Sequence, residues 1–303
     1  MPIPPLPAGM PLKDVLLVLA VVTVWGLNFL AIKIGVGEVP PLLFTGLRFT
    51  FTLFPAVFFL PRPNVPWRIL LGFGFMLGVV KFGLVFSAIK LGMPTGLTSL
   101  AMQMQVFFTI LLGFFLLGER PTRIHIIGAV VAFCGIAIIA VERMAGAGFL
   151  TFGMILAASA SWGVANILVK KAGRVNMLAF LVWGSLAAPL PLFTLSYLME
   201  GWPAMRAALA APHLSGILAL AFIVYPSTLF AFGAWNALLA RHPVSVVTPF
   251  ALLVPVVGFL TGSLVLGEPF SLLTMLGSAV VFCGLCVNVF GDRLVRHLRR
   301  KMV

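Results

Sequence analysis

Charge is what this sequence has least of. Only 9% of its 303 residues are charged and 61% are hydrophobic, with seven Asp and Glu set against 20 Lys and Arg. A water-exposed globular surface needs far more charge, which excludes an ordinary soluble domain. Acid is missing from the middle of every long apolar run: Asp14, Glu38, Glu119, Glu142, Glu200, Glu268 and Asp292 all fall at run ends or joints. The mid-membrane Asp or Glu of a typical proton relay is therefore absent, and the mode of energy coupling is not written in the sequence. An intramembrane hydrolase would need paired Asp, Ser with His, or HExxH on one helix face, and none occurs, so no enzyme is expected. A ring of like charges, as in a passive ion channel, is lacking too. Cys134, Cys283 and Cys286 lie inside apolar runs and read as small packing residues. The histidines at 125, 213, 242 and 297 are scattered at run ends. No metal site and no cofactor are expected.

What is present is a series of apolar runs long enough to cross a hydrocarbon core about 30 Å thick. Ten can be marked, near 12–34, 40–60, 67–90, 94–118, 122–142, 149–171, 176–200, 214–239, 243–267 and 270–291. The first is read as a retained helix rather than a cleaved signal peptide, because no convincing A-x-A site follows it. The joints are short and hold Gly, Pro and charge, as in "LPRPNVPWR", "GERPTR" and "KKAGRVN". With ten spans, fourteen Lys and Arg fall on one side and four on the other. Short basic loops stay in the cytoplasm, so both termini are expected there. The tail "DRLVRHLRRKMV" is expected on the anionic lipid surface rather than on nucleic acid. Nothing in the sequence bears on oligomeric state.

The chain also repeats itself. "MPTGLTSLAMQMQVFFTILLGFFLLGE" (93–119) aligns without a gap on "HPVSVVTPFALLVPVVGFLTGSLVLGE" (242–268), and "GAVVAFCGI" (128–136) on "GSAVVFCGL" (277–285), both at an offset of 149. "WGLNFLAIK" (25–33) resembles "WGVANILVK" (162–170). Self-similarity of this kind dictates architecture. Five spans per copy is an odd number, so the second copy enters the membrane from the opposite face. The expected fold is all-α and polytopic, with ten transmembrane helices as two inverted five-helix repeats: a tail at 1–11, repeats at 12–142 and 149–291, and a basic tail at 292–303. Inverted repeats are the usual construction of secondary transporters, which hold a small-molecule substrate near the midplane where the halves meet.

"VWGLNFLAIKIG" (24–35), "PPLLFTGLRF" (40–49), "GMPTGLTSLAMQMQVFFTILLGFFLLGER" (92–120), "LLVPVVG" (252–258) and "NVFG" (288–291) resemble the drug/metabolite transporter superfamily, and within it the EamA branch. That resemblance spans nearly the whole chain. It implies a ten-helix inner-membrane carrier exporting amino acids or related metabolites. A carrier of phosphorylated metabolites or nucleotide sugars, from the same superfamily, is the alternative.

Candidate substrate-binding residues come from the few polar groups inside spans. Arg48, Lys81, Gln103, Gln105 and Asn28 fall at one level, about 10–17 Å below the outer surface at about 1.5 Å per residue. Arg48 either contacts substrate or hydrogen-bonds neighbouring carbonyls. Lys81 either contacts substrate or snorkels along a groove. Gln103 and Gln105 stand about 200° apart on a helix, so one of the two faces a cavity. Asn28 and Asn166 are cavity residues or interhelical bridges, and Trp162 is a cavity wall or packing. Pro249 and Pro255 interrupt one span and are candidate hinges.

Overall fold

A computed structural model describes residues 10–119, 121–143, 147–242 and 244–301. The 1–9 part of the N-terminal tail, Arg120 and Pro243, which the repeat pairs with Pro94, lie outside the described residues, as do the side chains of 292–301 in the basic tail. Every regular element among the described residues is helical. In chain order these are α1 (Leu12–Glu38), α2 (Pro41–Phe58), α3 (Trp67–Lys90), α4 (Thr95–Leu117), α5 (Arg123–Arg143) and α6 (Ala147–Ala172). They continue with α7 (Met177–Ala187), α8 (Pro189–Met199), α9 (Trp202–Ala210), α10 (Leu214–Arg241), α11 (Thr248–Leu264) and α12 (Leu272–Lys301).

Eight of the described helices are long and apolar enough to cross a membrane. The other two expected spans take different forms. The run near 176–200 is a pair, α7 and α8, bent by 40°. Pro189 sits at the start of α8, where its missing N–H and fixed φ end one helix and open another. The run near 243–267 yields the shorter apolar helix α11, which contains Pro249 and Pro255. Proline also sets other boundaries: α2 opens at Pro41, and α3 and α4 follow Pro66 and Pro94.

Large apolar side chains such as Phe115, Leu190, Leu198 and Leu264 are 70–80% exposed around the perimeter, as lipid-facing positions require. Inside, Phe44, Phe86, Ile89, Leu97, Leu100 and Ile155 belong to one core shared by several helices. The repeated "FCG" helices pack on each other. A Cβ on Gly128 would lie 2.8 Å from the Gly284 carbonyl oxygen, and one on Gly135 would lie 2.6 Å from that of Gly277. Rising numbers on α5 meet falling numbers on α12, so the pair is antiparallel. Each contact joins the first glycine of one copy to the second glycine of the other. Only glycine lets two backbones approach this closely.

The acidic residues with described side chains are spent on helix ends. Glu200 accepts from the N–H groups of Leu42 (2.7 Å) and Leu43 (3.1 Å), closing the start of α2. Glu268 accepts from Thr95 N–H (2.8 Å), Thr95 Oγ1 (3.1 Å) and Gly96 N–H (3.3 Å), closing the start of α4. Carboxylates are favoured there, since first-turn N–H groups lack helical partners and carry the positive end of the dipole. At the opposite ends of the helices, buried Asp14 of α1 pairs with Arg241 (2.9 Å) and His242 (2.6 Å), and Glu119 pairs with Lys170 (2.7 Å).

Candidate functional site

The cations expected at depth are both buried: Arg48 is 3% exposed and Lys81 6%. They meet at one aromatic ring. The Arg48 guanidinium carbon lies 3.6 Å from the Phe82 ring centroid, and Lys81 Nζ lies 4.0 Å from the same centroid. Lys81 Nζ is also 3.4 Å from the ring centroid of Trp162, which α6 supplies. Aromatic faces attract cations, and more so once water is excluded, so the rings partly offset the burial of two like charges. No carboxylate joins them: each described acid is engaged elsewhere, at the helix ends and joints.

Arg48 keeps donors unused. Its Nη2 donates to Thr228 Oγ1 of α10 at 3.3 Å, while Nε and Nη1 are buried without a partner. An unpaired buried donor costs about 1–3 kcal/mol, and more when charged. The arrangement offers bare positive donors beside aromatic walls, which suits a small molecule carrying an anionic group and an apolar body.

Local distortion brings these residues together. Residues Phe75–Phe82 of α3 and Tyr225–Phe230 of α10 are wound as π-helix. Such stretches are rare and occur frequently at functional sites. Side-chain donors meet carbonyls in or beside both. Ser161 Oγ donates to Met76 O (2.7 Å), Thr228 Oγ1 to Ile223 O (2.7 Å), and Trp25 Nε1 to Ser227 O (3.1 Å). Lys81 and Phe82 close the first stretch; Thr228 lies within the second. Sequence reading missed Phe82 and Thr228. Pro226, interrupting an apolar run, was the one available signal for the second stretch, and no residue pattern marks the first.

The other candidates separate. Gln103 Nε2 donates to Ala251 O at 3.1 Å. Pro255 explains this bond. Proline has no N–H, so the carbonyl four residues earlier loses its helical donor, and Gln103 replaces it. Gln105 and Asn166 bridge α4 and α6: Asn166 Nδ2 donates to Gln105 Oε1 (2.6 Å) and to Thr109 Oγ1 (2.9 Å). Asn28 is buried with Oδ1 unpaired. Pro249 lies in a 3₁₀ stretch, Thr248–Leu252, and Pro255 is buried in the helix that follows. Trp235 packs on Trp25 at a tilt of 52°, with centroids 5.1 Å apart. Cys283 and Cys286, spaced Cys-x-x-Cys on α12, are free thiols. Among the described residues no group of three or more His, Cys, Asp or Glu could hold a metal ion.

The EamA-like transporter family profile matches residues 12–141 and 150–290. A Salmonella typhimurium protein called "Probable amino-acid metabolite efflux pump" is 40% identical over 293 residues, covering 95% of this chain and 98% of that one. An Escherichia coli protein of the same description is 39% identical over 287 residues, covering 93% and 96%. A crystal structure superposes with a TM-score of 0.61 at 23% identity, covering 91% of this chain and 96% of that one, which speaks to the fold alone. This multi-pass membrane protein belongs to the EamA-like transporter family and is a transporter, not an enzyme.

Proposed function

We propose that the chain exports amino acids or amino-acid-related metabolites across the bacterial inner membrane by alternating access. The carrying observation is the Arg48–Phe82–Lys81–Trp162 cluster, because it straddles the two halves of the sequence. Arg48 and Lys81 come from the 12–142 half, and their partners Thr228 and Trp162 come from the 149–291 half. Relative motion of the halves makes and breaks these contacts, which is what a carrier site at a repeat interface must do. A substrate carboxylate takes up the unused Arg48 donors and the Lys81 ammonium, and its apolar body lies on Phe82 and Trp162. Asn28 Oδ1 is a buried acceptor without a partner, fit for an ammonium. Gln103, Gln105 and Asn166 frame the site through their bonds to Ala251, Thr109 and each other.

The architecture in this reading is ten spans in two inverted repeats, 12–142 and 149–291. The bent α7–α8 pair serves as the seventh span and α11 as the ninth. The reciprocal glycine contacts of α5 and α12 support an in-plane two-fold. Both termini are cytoplasmic, the 292–303 tail lies on the inner leaflet, and Pro249 and Pro255 flex as the halves exchange. The efflux-pump relatives support the amino-acid class.

Counterflow in proteoliposomes tests this reading. Preloaded unlabelled amino acid should accelerate entry of the labelled compound, with and without a pH gradient. Equal entry from empty and loaded vesicles would indicate a channel. Counterflow by phosphorylated metabolites or nucleotide sugars alone would favour the alternative cargo.

A further inference from the structure

Apart from the central cluster, the described residues contain a basic cleft at the membrane surface. A cavity of about 270 Å³ opens between the 61–64 loop that follows α2 and the stretch from Ala172 to Ala179 that joins α6 to α7. Arg62, Asn64, Arg174 and Asn176 supply its polar wall, and no Asp or Glu lines it.

The wall is pre-positioned. The Arg62 guanidinium lies 4.2 Å from the Trp67 ring centroid, and its Nη2 donates to Val65 O at 3.1 Å. Trp183 Nε1 donates to Leu60 O at 2.9 Å, pinning the chain just before the loop, and Trp183 stands edge-on to Trp67 at 6.4 Å. Asn176 Oδ1 accepts from Leu178 N–H (3.0 Å) and Ala179 N–H (3.1 Å). With Oδ1 engaged in the cap, the donor this side chain has to offer is Nδ2. Arg174 is exposed and reaches the same cavity.

Depth argues for the ligand. Tryptophans gather at the headgroup layer of a bilayer, and Trp67 and Trp183 adjoin the 61–64 loop through their contacts with Arg62 and Leu60. Basic pockets between helix ends at this level receive the phosphates of anionic lipids. Arginine forks suit phosphate oxygens, and an amide donor adds a third contact. We propose that this cleft binds a phosphate group, that of an anionic phospholipid of the adjoining leaflet, through Arg62, Arg174 and Asn176.

The full-length protein in detergent is the test material, and no transport is needed. Phosphatidylglycerol should raise the melting temperature by about 5 °C near saturation, and phosphatidylcholine of the same chains should not. Arg174→Gln should weaken the phosphatidylglycerol midpoint about tenfold. Arg62→Gln should do the same. Should it unfold because Arg62 also packs on Trp67, Arg174→Gln alone carries the test, since Arg174 is solvent-exposed. Equal shifts from both lipids, or an unchanged midpoint in Arg174→Gln, would overturn the site. A shift with inorganic phosphate but none with phosphatidylglycerol would overturn the lipid source and leave a soluble anion as ligand.

Discussion

Lys81 Nζ lies 3.4 Å from the ring centroid of Trp162, a contact between residues 81 positions apart that ties α3 to α6. The ammonium stands on two aromatic faces, Trp162 and Phe82, in place of the carboxylate with which a buried charge is usually paired. Lys81→Met keeps length and helix propensity but removes the charge. Transport of cargo with a free carboxylate should fall about 10- to 100-fold, the worth of one charge-assisted bond. Amide analogues of the same cargo should lose much less. Unchanged relative transport of the two would leave Lys81 structural and direct attention to Arg48.

Arg48 carries two buried donor nitrogens, Nε and Nη1, with no hydrogen-bond partner. Removing such a group relieves its desolvation, since a buried ion is often replaced by an apolar side chain at little or no cost. Arg48→Met should therefore leave the thermal stability of the substrate-free protein unchanged or raise it, while carboxylate transport collapses. A drop of several degrees in melting temperature would show that Arg48 supports the fold instead.

Gln103 and Pro255 should be energetically coupled. Gln103→Leu strands the Ala251 carbonyl and should cost about 1–3 kcal/mol in a thermal or denaturant measurement. In a Pro255→Ala background the restored N–H can bond that carbonyl, so the same substitution should cost about 1 kcal/mol less. Additive effects would show that the freed carbonyl is not why Gln103 is there. Turnover in the single Pro249→Ala and Pro255→Ala variants and in the double variant, compared with expression level, tests flexing at these prolines: slowed transport with normal expression is expected.

Glycine contacts should discriminate sharply. A Cβ on Gly74 would overlap the Gly184 carbonyl oxygen, a backbone atom that cannot rotate away. Gly135→Ala meets the Gly277 carbonyl oxygen and Val281 nitrogen, each at 2.6 Å. Both substitutions should lower stability by about 1–3 kcal/mol through overpacking. Gly153→Ala, with no heavy atom within 4 Å, should be neutral or slightly stabilising. Equal melting temperatures for all three would contradict the close approach of these helices.

The charge asymmetry fixes a fifth expectation. A reporter active only outside the cytoplasm, fused after Val303, should give no signal, and a strong signal would overturn the ten-span arrangement.

The sequence by itself determined the solvent of this protein and the residues worth watching. Apolar runs near 20 residues with little charge can be satisfied only by helices in lipid, so helices were legible from composition and length. The depth estimate that placed Arg48 and Lys81 near one level needed only the helical rise, and the two do meet at Phe82. Periodicity could not show the form of the interrupted spans. The bend at Pro189 and the short α11 depend on which neighbours satisfy the backbone that proline leaves bare. Side-chain direction was equally hidden. Level does not fix azimuth, and the π-helical turns at Phe75–Phe82 and Tyr225–Phe230 rotate α3 and α10 away from the ideal 100° per residue. Tertiary structure therefore decided that Gln103 answers Pro255, that Gln105 answers Asn166, and that Arg48 is left with donors to offer. Each outcome depends on contacts between residues far apart in the chain, and a hydropathy pattern carries no information about which distant carbonyl has lost its partner.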